Sequence, residues 1–116
     1  MKLETFECDG VTVVVFIAHG LIASNVNVLK QAISTAIGGN NRFVFDLGEL
    51  EFVDSVGLGT LVACLKGVRQ RAGDIRLCRV SEAVSRIFEL VKLEKVFQFY
   101  GSVDSAVESF NIAGKT

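Results

Sequence analysis

Proline is absent from this 116-residue chain, so glycines and short polar clusters must supply all of its punctuation. Histidine occurs once, at His19, which leaves no histidine-rich metal site. Cysteine occurs three times, at Cys8, Cys64 and Cys78, an odd number at wide spacing with no C-x-x-C pair. Such spacing supports neither a disulfide framework nor a thiolate metal site. Cys64 and Cys78 sit in apolar segments and read as buried thiols, while Cys8, in the first strand, reads as more exposed. An excess of charge is also missing. The net charge is −1, and no basic stripe is interleaved with aromatics. Electrostatics therefore give no reason to expect direct nucleic-acid binding. No apolar run reaches the roughly 18 residues of a spanning helix, so no membrane insertion is expected. The start, Met1-Lys2-Leu3-Glu4, lacks the apolar stretch of a secretory leader. The chain reads as a soluble, cytoplasmic protein.

What is present is enough for a core. Half of the residues are hydrophobic, which excludes a disordered chain, and the length suits one domain. That domain is expected over residues 1–112, with 113–116 as a flexible tail and fraying from Asn111. Leu3 to Asp9 reads as a first strand. Asp9-Gly10 turns it into Val11 to Ala18, a valine-rich run that reads as a strand buried on both faces. Ser24 reads as the cap of a first helix with Val26, Leu29, Ile33 and Ile37 at helical spacing, ended by Gly38-Gly39. Arg42 to Leu47 is the next strand, and Gly48 to Glu51 connects it to the short Phe52-Val53. A second helix follows from Val56 to Arg71, with Leu58, Leu61, Val62 and Leu65 as its stripe and Gly73 as its close. Ile75 to Val80 is another strand. Ser81 caps a third helix carrying Val84, Ile87, Phe88 and Val91. Val96 to Tyr100 is a last strand, and Ser102 caps a fourth helix with Val103, Ala106, Val107 and Phe110. Strands alternating with amphipathic helices give an α/β fold. A mixed sheet of four to five strands covered by about four helices is expected. An open first strand could pair two copies edge to edge.

Phe52-Val53-Asp54-Ser55-Val56-Gly57-Leu58-Gly59-Thr60-Leu61 concentrates the chemistry. It places a small hydroxyl, Ser55, at a strand-to-helix junction. A serine there can be a helix cap, a phosphate acceptor or a nucleophile. Asp54 can also cap. Gly57, Gly59 and Gly67 each cost a helix roughly 1 kcal/mol relative to alanine, so they need a reason. Gly59, Ala63 and Gly67 form one smooth strip, for close packing within the fold or for a partner surface. The nucleophile reading lacks the glycine two residues before the serine, and His19 is the one candidate base. The pattern of a phosphate-binding loop is absent, as is the third glycine of a dinucleotide fingerprint. Asp46 and Asp54 lack the acidic pair that an aspartyl-phosphate receiver would carry after the early strand.

Asp46-Leu47, Leu50, Phe52 and Asp54-Ser55-x-Gly57-Leu58-Gly59-x-Leu61 resemble the signature of the STAS domain family. That family is named for sulphate transporters and anti-sigma factor antagonists. Ser81-x-Ala83-Val84-x-x-Ile87-Phe88, with Leu93 and Val96-Phe97, is similar to its C-terminal half. In length the chain resembles the stand-alone bacterial antagonists. The resemblance implies the STAS fold and a non-enzymatic switch that needs no cofactor. It implies that the unphosphorylated form binds an anti-sigma factor serine kinase, that phosphorylation at Ser55 releases it, and that a PP2C-type phosphatase restores it. It also implies a partner face around Asp54, Ser55, Val56, Gly57, Gly59 and Thr60, with Thr60 a minor second candidate for phosphorylation. One departure stands out. Where the family has an acidic stretch after the second strand, this chain has Gly20-Leu21-Ile22-Ala23-Ser24-Asn25. Its loss makes the face more apolar and adds Leu21 and Ile22 as candidate contacts. The alternative implied role is a non-phosphorylated STAS scaffold subunit of a multi-protein or transporter-associated complex.

Overall fold

The computed structural model describes residues 1–36 and 40–114 of the chain. Strand β1 (Lys2–Cys8) and strand β2 (Val11–Ile17) form a hairpin whose register runs from Cys8 opposite Val11 to Lys2 opposite Ile17. Both turn residues, Asp9 (φ 51°) and Gly10 (φ 80°), adopt left-handed backbone, which matches the twist of the flanking strands. Next come the two-residue β3 (Gly20–Leu21), helix α1 (Val26–Ala36), β4 (Arg42–Asp46), the two-residue β5 (Phe52–Val53) and helix α2 (Ser55–Arg69). β6 (Asp74–Cys78), α3 (Glu82–Leu90), β7 (Gln98–Tyr100) and α4 (Val103–Gly114) complete the order.

The main sheet has five strands in the order β1-β2-β4-β6-β7, parallel except for the β1–β2 hairpin. β3 and β5 stay outside it and pair with each other in parallel, Gly20 with Phe52 and Leu21 with Val53. Period-two alternation divides the core between the faces of the sheet. Val14, Phe16, Phe43, Phe45, Ile75 and Leu77 face the layer of α1, α2 and α3. Val11, Val13, Val44 and Cys78 face Ala106, Val107 and Phe110 of α4. Three crossovers that advance in one direction across the sheet, all of one hand, keep three helices on one face. α4 follows the last strand, so it is free to close the other face. Arg76 fastens it there, stacked 4.0 Å above the Phe110 ring and donating to Ser109 Oγ.

The expected elements are present, with local corrections. Ser24 lies in a turn rather than capping α1. Asn25 organises that turn, its Oδ1 accepting from Ile22 N–H and its Nδ2 donating to the Gly20 carbonyl. Val26, Leu29 and Ile33 are buried as expected; Ile37 and the Gly38-Gly39 stop lie outside the described residues. At the end of α2 the left-handed residue is Ala72 (φ 62°), and Gly73 serves close packing instead, since a methyl group there would overlap the Asn41 carbonyl oxygen. Val91 follows the last turn of α3 as its C-cap and is half exposed, off the apolar stripe. α4 continues to Gly114, past the expected start of the tail, and 115–116 lie outside the described residues.

β1 is an edge of the sheet and is largely exposed, with Phe6 half exposed. Among the described residues no helix is long and apolar enough to cross a membrane. Cys78 is buried, while Cys64 and Cys8 are partly buried. Desolvation first, then the nearby Asp46 charge, pushes the Cys78 thiol up to about 12, with Arg79 opposing. It should stay unlabelled by iodoacetamide at pH 8 in the folded protein and react once urea unfolds the chain, as peptide mapping would check.

Candidate functional site

The site begins where β4 ends. Asp46 is buried, accepts from Gly48 N–H at 2.9 Å and pairs with Arg79 at 3.1 Å. That tight turn sends the chain through Leu47 and Leu50, both fully buried, to β5. Across this short strand Val53 points into the core and Phe52 points out, 53% exposed. β5 is held by β3. The His19 carbonyl accepts from Glu51 and Phe52 N–H groups, and the Leu21 carbonyl accepts from Asp54 N–H. The start of α2 is therefore set by a backbone ladder to residues more than 30 positions earlier.

Asp54 caps α2. Its backbone is extended, and its Oδ1 accepts from Gly57 N–H at 2.8 Å. Its Oδ2 accepts from Ala23 N–H at 3.0 Å, so one carboxylate closes the helix and ties down the loop before α1. Gly57 N–H first, then Ala23 N–H, hold the Asp54 carboxyl below its ordinary value; desolvation opposes them and Val56 N–H adds a smaller pull. Because the folded value is depressed, the carboxylate's contribution is complete above the ordinary value of 3.8 and is lost as pH falls through the folded one. Asp54→Ala should lower the urea midpoint at pH 7, with the gap to wild type narrowing in acid. A gap constant with pH would refute the role of the charge.

Since Asp54 occupies the cap, Ser55 does not, contrary to its commonest reading. Ser55 is the first residue of α2 and is exposed. Among the described residues none hydrogen-bonds to its hydroxyl. The hydroxyl is thus free for chemistry at the positive end of a helix dipole. His19 makes no hydrogen bond to it; the His19 ring is 93% exposed and faces Glu51 at 3.5 Å.

The other candidate residues separate into surface and support. Val56 is 44% exposed beside Ser55, and Gly59 is exposed one turn on. Ile22 is half buried at the rim. Gly57, expected on the partner face, is instead buried, and a methyl group on it would overlap the Leu21 carbonyl oxygen and lie 2.9 Å from Val53 Cγ1. Leu21 is fully buried, so its expected role as a contact is replaced by packing under α2. Thr60 is 5% exposed and donates its hydroxyl to the Val56 carbonyl at 2.8 Å, which removes it from the face. Sequence reasoning missed Phe52 as a surface residue. The signal was there: in a two-residue strand only one side chain can face the core.

This stretch therefore carries one uncommitted hydroxyl together with exposed Phe52, Val56 and Gly59, and half-buried Ile22 lies in the loop that Asp54 ties down. The carboxylate nearest the hydroxyl is already bound to two N–H groups. Among the described residues no group of three or more His, Cys, Asp or Glu is placed to hold a metal ion.

Comparison with known proteins agrees with the fold. The STAS domain pattern matches residues 3–106. BtrV of Bordetella bronchiseptica, which carries a provisional anti-sigma factor antagonist name, is 29% identical over 115 residues, spanning 97% of each chain. The crystal structure of an anti-sigma factor antagonist from Mycobacterium paratuberculosis is 28% identical with a TM-score of 0.80, covering 93% of this chain and 92% of that one. The fold is also that of the anti-sigma factor antagonist SpoIIAA, solved in its unphosphorylated form (19% identical, TM-score 0.79, 95% and 96% covered). SpoIIAA of Bacillus is known in its phosphorylated form as well (20% identical, TM-score 0.72, 94% and 99% covered).

Proposed function

The chain belongs to the STAS domain family, and from that premise we propose that it is an anti-sigma factor antagonist switched by phosphorylation at Ser55. The unphosphorylated face binds an anti-sigma factor that is a serine kinase. The kinase transfers the γ-phosphoryl group of ATP to Ser55 Oγ; the hydroxyl proton is released and ADP leaves. A PP2C-type phosphatase hydrolyses the ester and restores the binding form. The chain itself is a substrate and a switch, not an enzyme.

One observation carries this reading. Ser55 stands exposed on the first turn of α2 with no structural duty, because Asp54 has taken the cap. A hydroxyl that is exposed and has no partner within the fold is open to a kinase. The names of the relatives supply the class of partner. Exposed Phe52 and Val56 and half-buried Ile22 suit an interface centre better than a solvated loop.

Purification from the source organism and mass spectrometry of the intact chain test it. A fraction heavier by one phosphate, mapped to Ser55 and absent from Ser55→Ala, is expected. Ser55 unmodified in every growth state would sink the switch.

A further inference from the structure

Four residues of α2, namely Ser55, Gly59, Ala63 and Gly67, recur every fourth position and so lie along one side of the helix. The first three are exposed and Gly67 is half buried. The two glycines have no internal explanation. Neither has positive φ, and a methyl group on either would meet nothing within 4 Å. The strip borders a cavity of about 260 Å³ between α1 and α2. Lys30, Ile33 and Ser34 form one wall, and Ala63, Cys64 and Gly67 the other. Its lower part is apolar, since Ile33 is 4% exposed. The one charged side chain among its lining residues is Lys30. Neither α1 nor α2 contains an aspartate or glutamate. Their cations are Lys30, Lys66 and Arg69, and among the described residues Arg69 alone of these pairs with a carboxylate, that of Asp74.

We propose that the α1–α2 groove receives an acidic amphipathic helix of the same partner that reads Ser55, an inference that rests on the proposed function. A row of small residues four apart lets two helix backbones approach closely. Lys30 on the wall, on helices that carry Lys66 and no carboxylate, selects an occupant with carboxylates and disfavours a second copy of this chain, whose α1 and α2 would bring like charge. The strip starts at Ser55, so one partner covers both the hydroxyl and the groove.

The test uses the purified serine-kinase anti-sigma factor that phosphorylates Ser55, with ADP, and measures its Kd by calorimetry. Gly67→Leu, which fills the groove more than two turns from Ser55, should weaken binding about tenfold or more. Lys30→Glu, a surface change that keeps the test valid should Gly67→Leu fail to fold, should do the same. Gly67→Ala should raise Tm. In the wild-type complex Cys64 should be protected from alkylation. Affinities within twofold of wild type for both groove variants, with Ser55→Asp still impaired, would overturn this inference alone. A wild-type protein that binds no such kinase would overturn the Ser55 reading and the groove with it. Dimerisation through α2 would also overturn the inference, by giving the groove to a second copy.

Discussion

Ser55→Asp is expected to release the partner while leaving the fold unchanged. A phosphoserine carries about −1.5 to −2 charges at neutral pH, and aspartate imitates part of that. The fold tolerates the charge because Ser55 lies in the first turn of α2, where the helix dipole favours an anion. No existing hydrogen bond is lost, since the wild-type hydroxyl makes none among the described residues. The partner sees something different. Phe52 and Val56 flank the position, 53% and 44% exposed. A partner fitted to those apolar side chains and a neutral hydroxyl would have to bury an unpaired charge beside the Asp54 carboxylate. That costs roughly 2–4 kcal/mol, about 30- to 1000-fold in affinity. Calorimetry against the kinase, with a parallel urea melt, separates the two effects. An unchanged Kd would count decisively against the switch. An unchanged Kd for Ser55→Ala is the expected control, because alanine brings no charge.

Gly57→Ala should be the most damaging single methyl in the site. The new Cβ would overlap the Leu21 carbonyl oxygen, which is backbone held in the β3–β5 ladder, and press on Val53 Cγ1 at 2.9 Å. Neither can swing away as a flexible side chain would. Overpacking of this kind costs roughly 1–3 kcal/mol, here at the upper end because the obstacle is main chain. Alanine's better helix propensity returns about 1 kcal/mol. A net loss of about 2 kcal/mol, roughly 8 °C in Tm, is expected. Gly59→Ala, two residues on, meets nothing within 4 Å and should stabilise the protein. Equal melting points for the two variants would show that α2 is not pressed against β3. The displaced helix start should also weaken partner binding in Gly57→Ala, because the same ladder places Asp54 and Ser55.

These contrasts mark where local reading succeeded and where it stopped. The hairpin was legible because Asp9-Gly10 suits two successive residues of positive φ. The helices were legible because burial repeats with their period, as Val84 and Phe88 show in α3. The small β3–β5 pair was only half legible. Phe52-Val53 reads as a strand, but its partner Gly20-Leu21 lies in what reads as a loop carrying contact residues. That misreading made Leu21 look like a surface hydrophobe, although it is fully buried.

The amino-acid sequence by itself determined the α/β class, the family signature and the position of Ser55 at a strand-to-helix junction. These depend on periodicity and spacing within a few residues, which any stretch of chain carries with it. It did not determine which residue caps α2, because Asp54 and Ser55 both satisfy the local spacing of a cap. Only the tertiary structure decided that. Ala23, distant in the chain, brings its N–H to the second oxygen of Asp54, and Leu21 brings its carbonyl to Asp54 N–H and to the space above Gly57. With the carboxylate engaged on both sides, the hydroxyl is left over. The freedom of Ser55 is a long-range property, created by contacts that no neighbouring residue encodes.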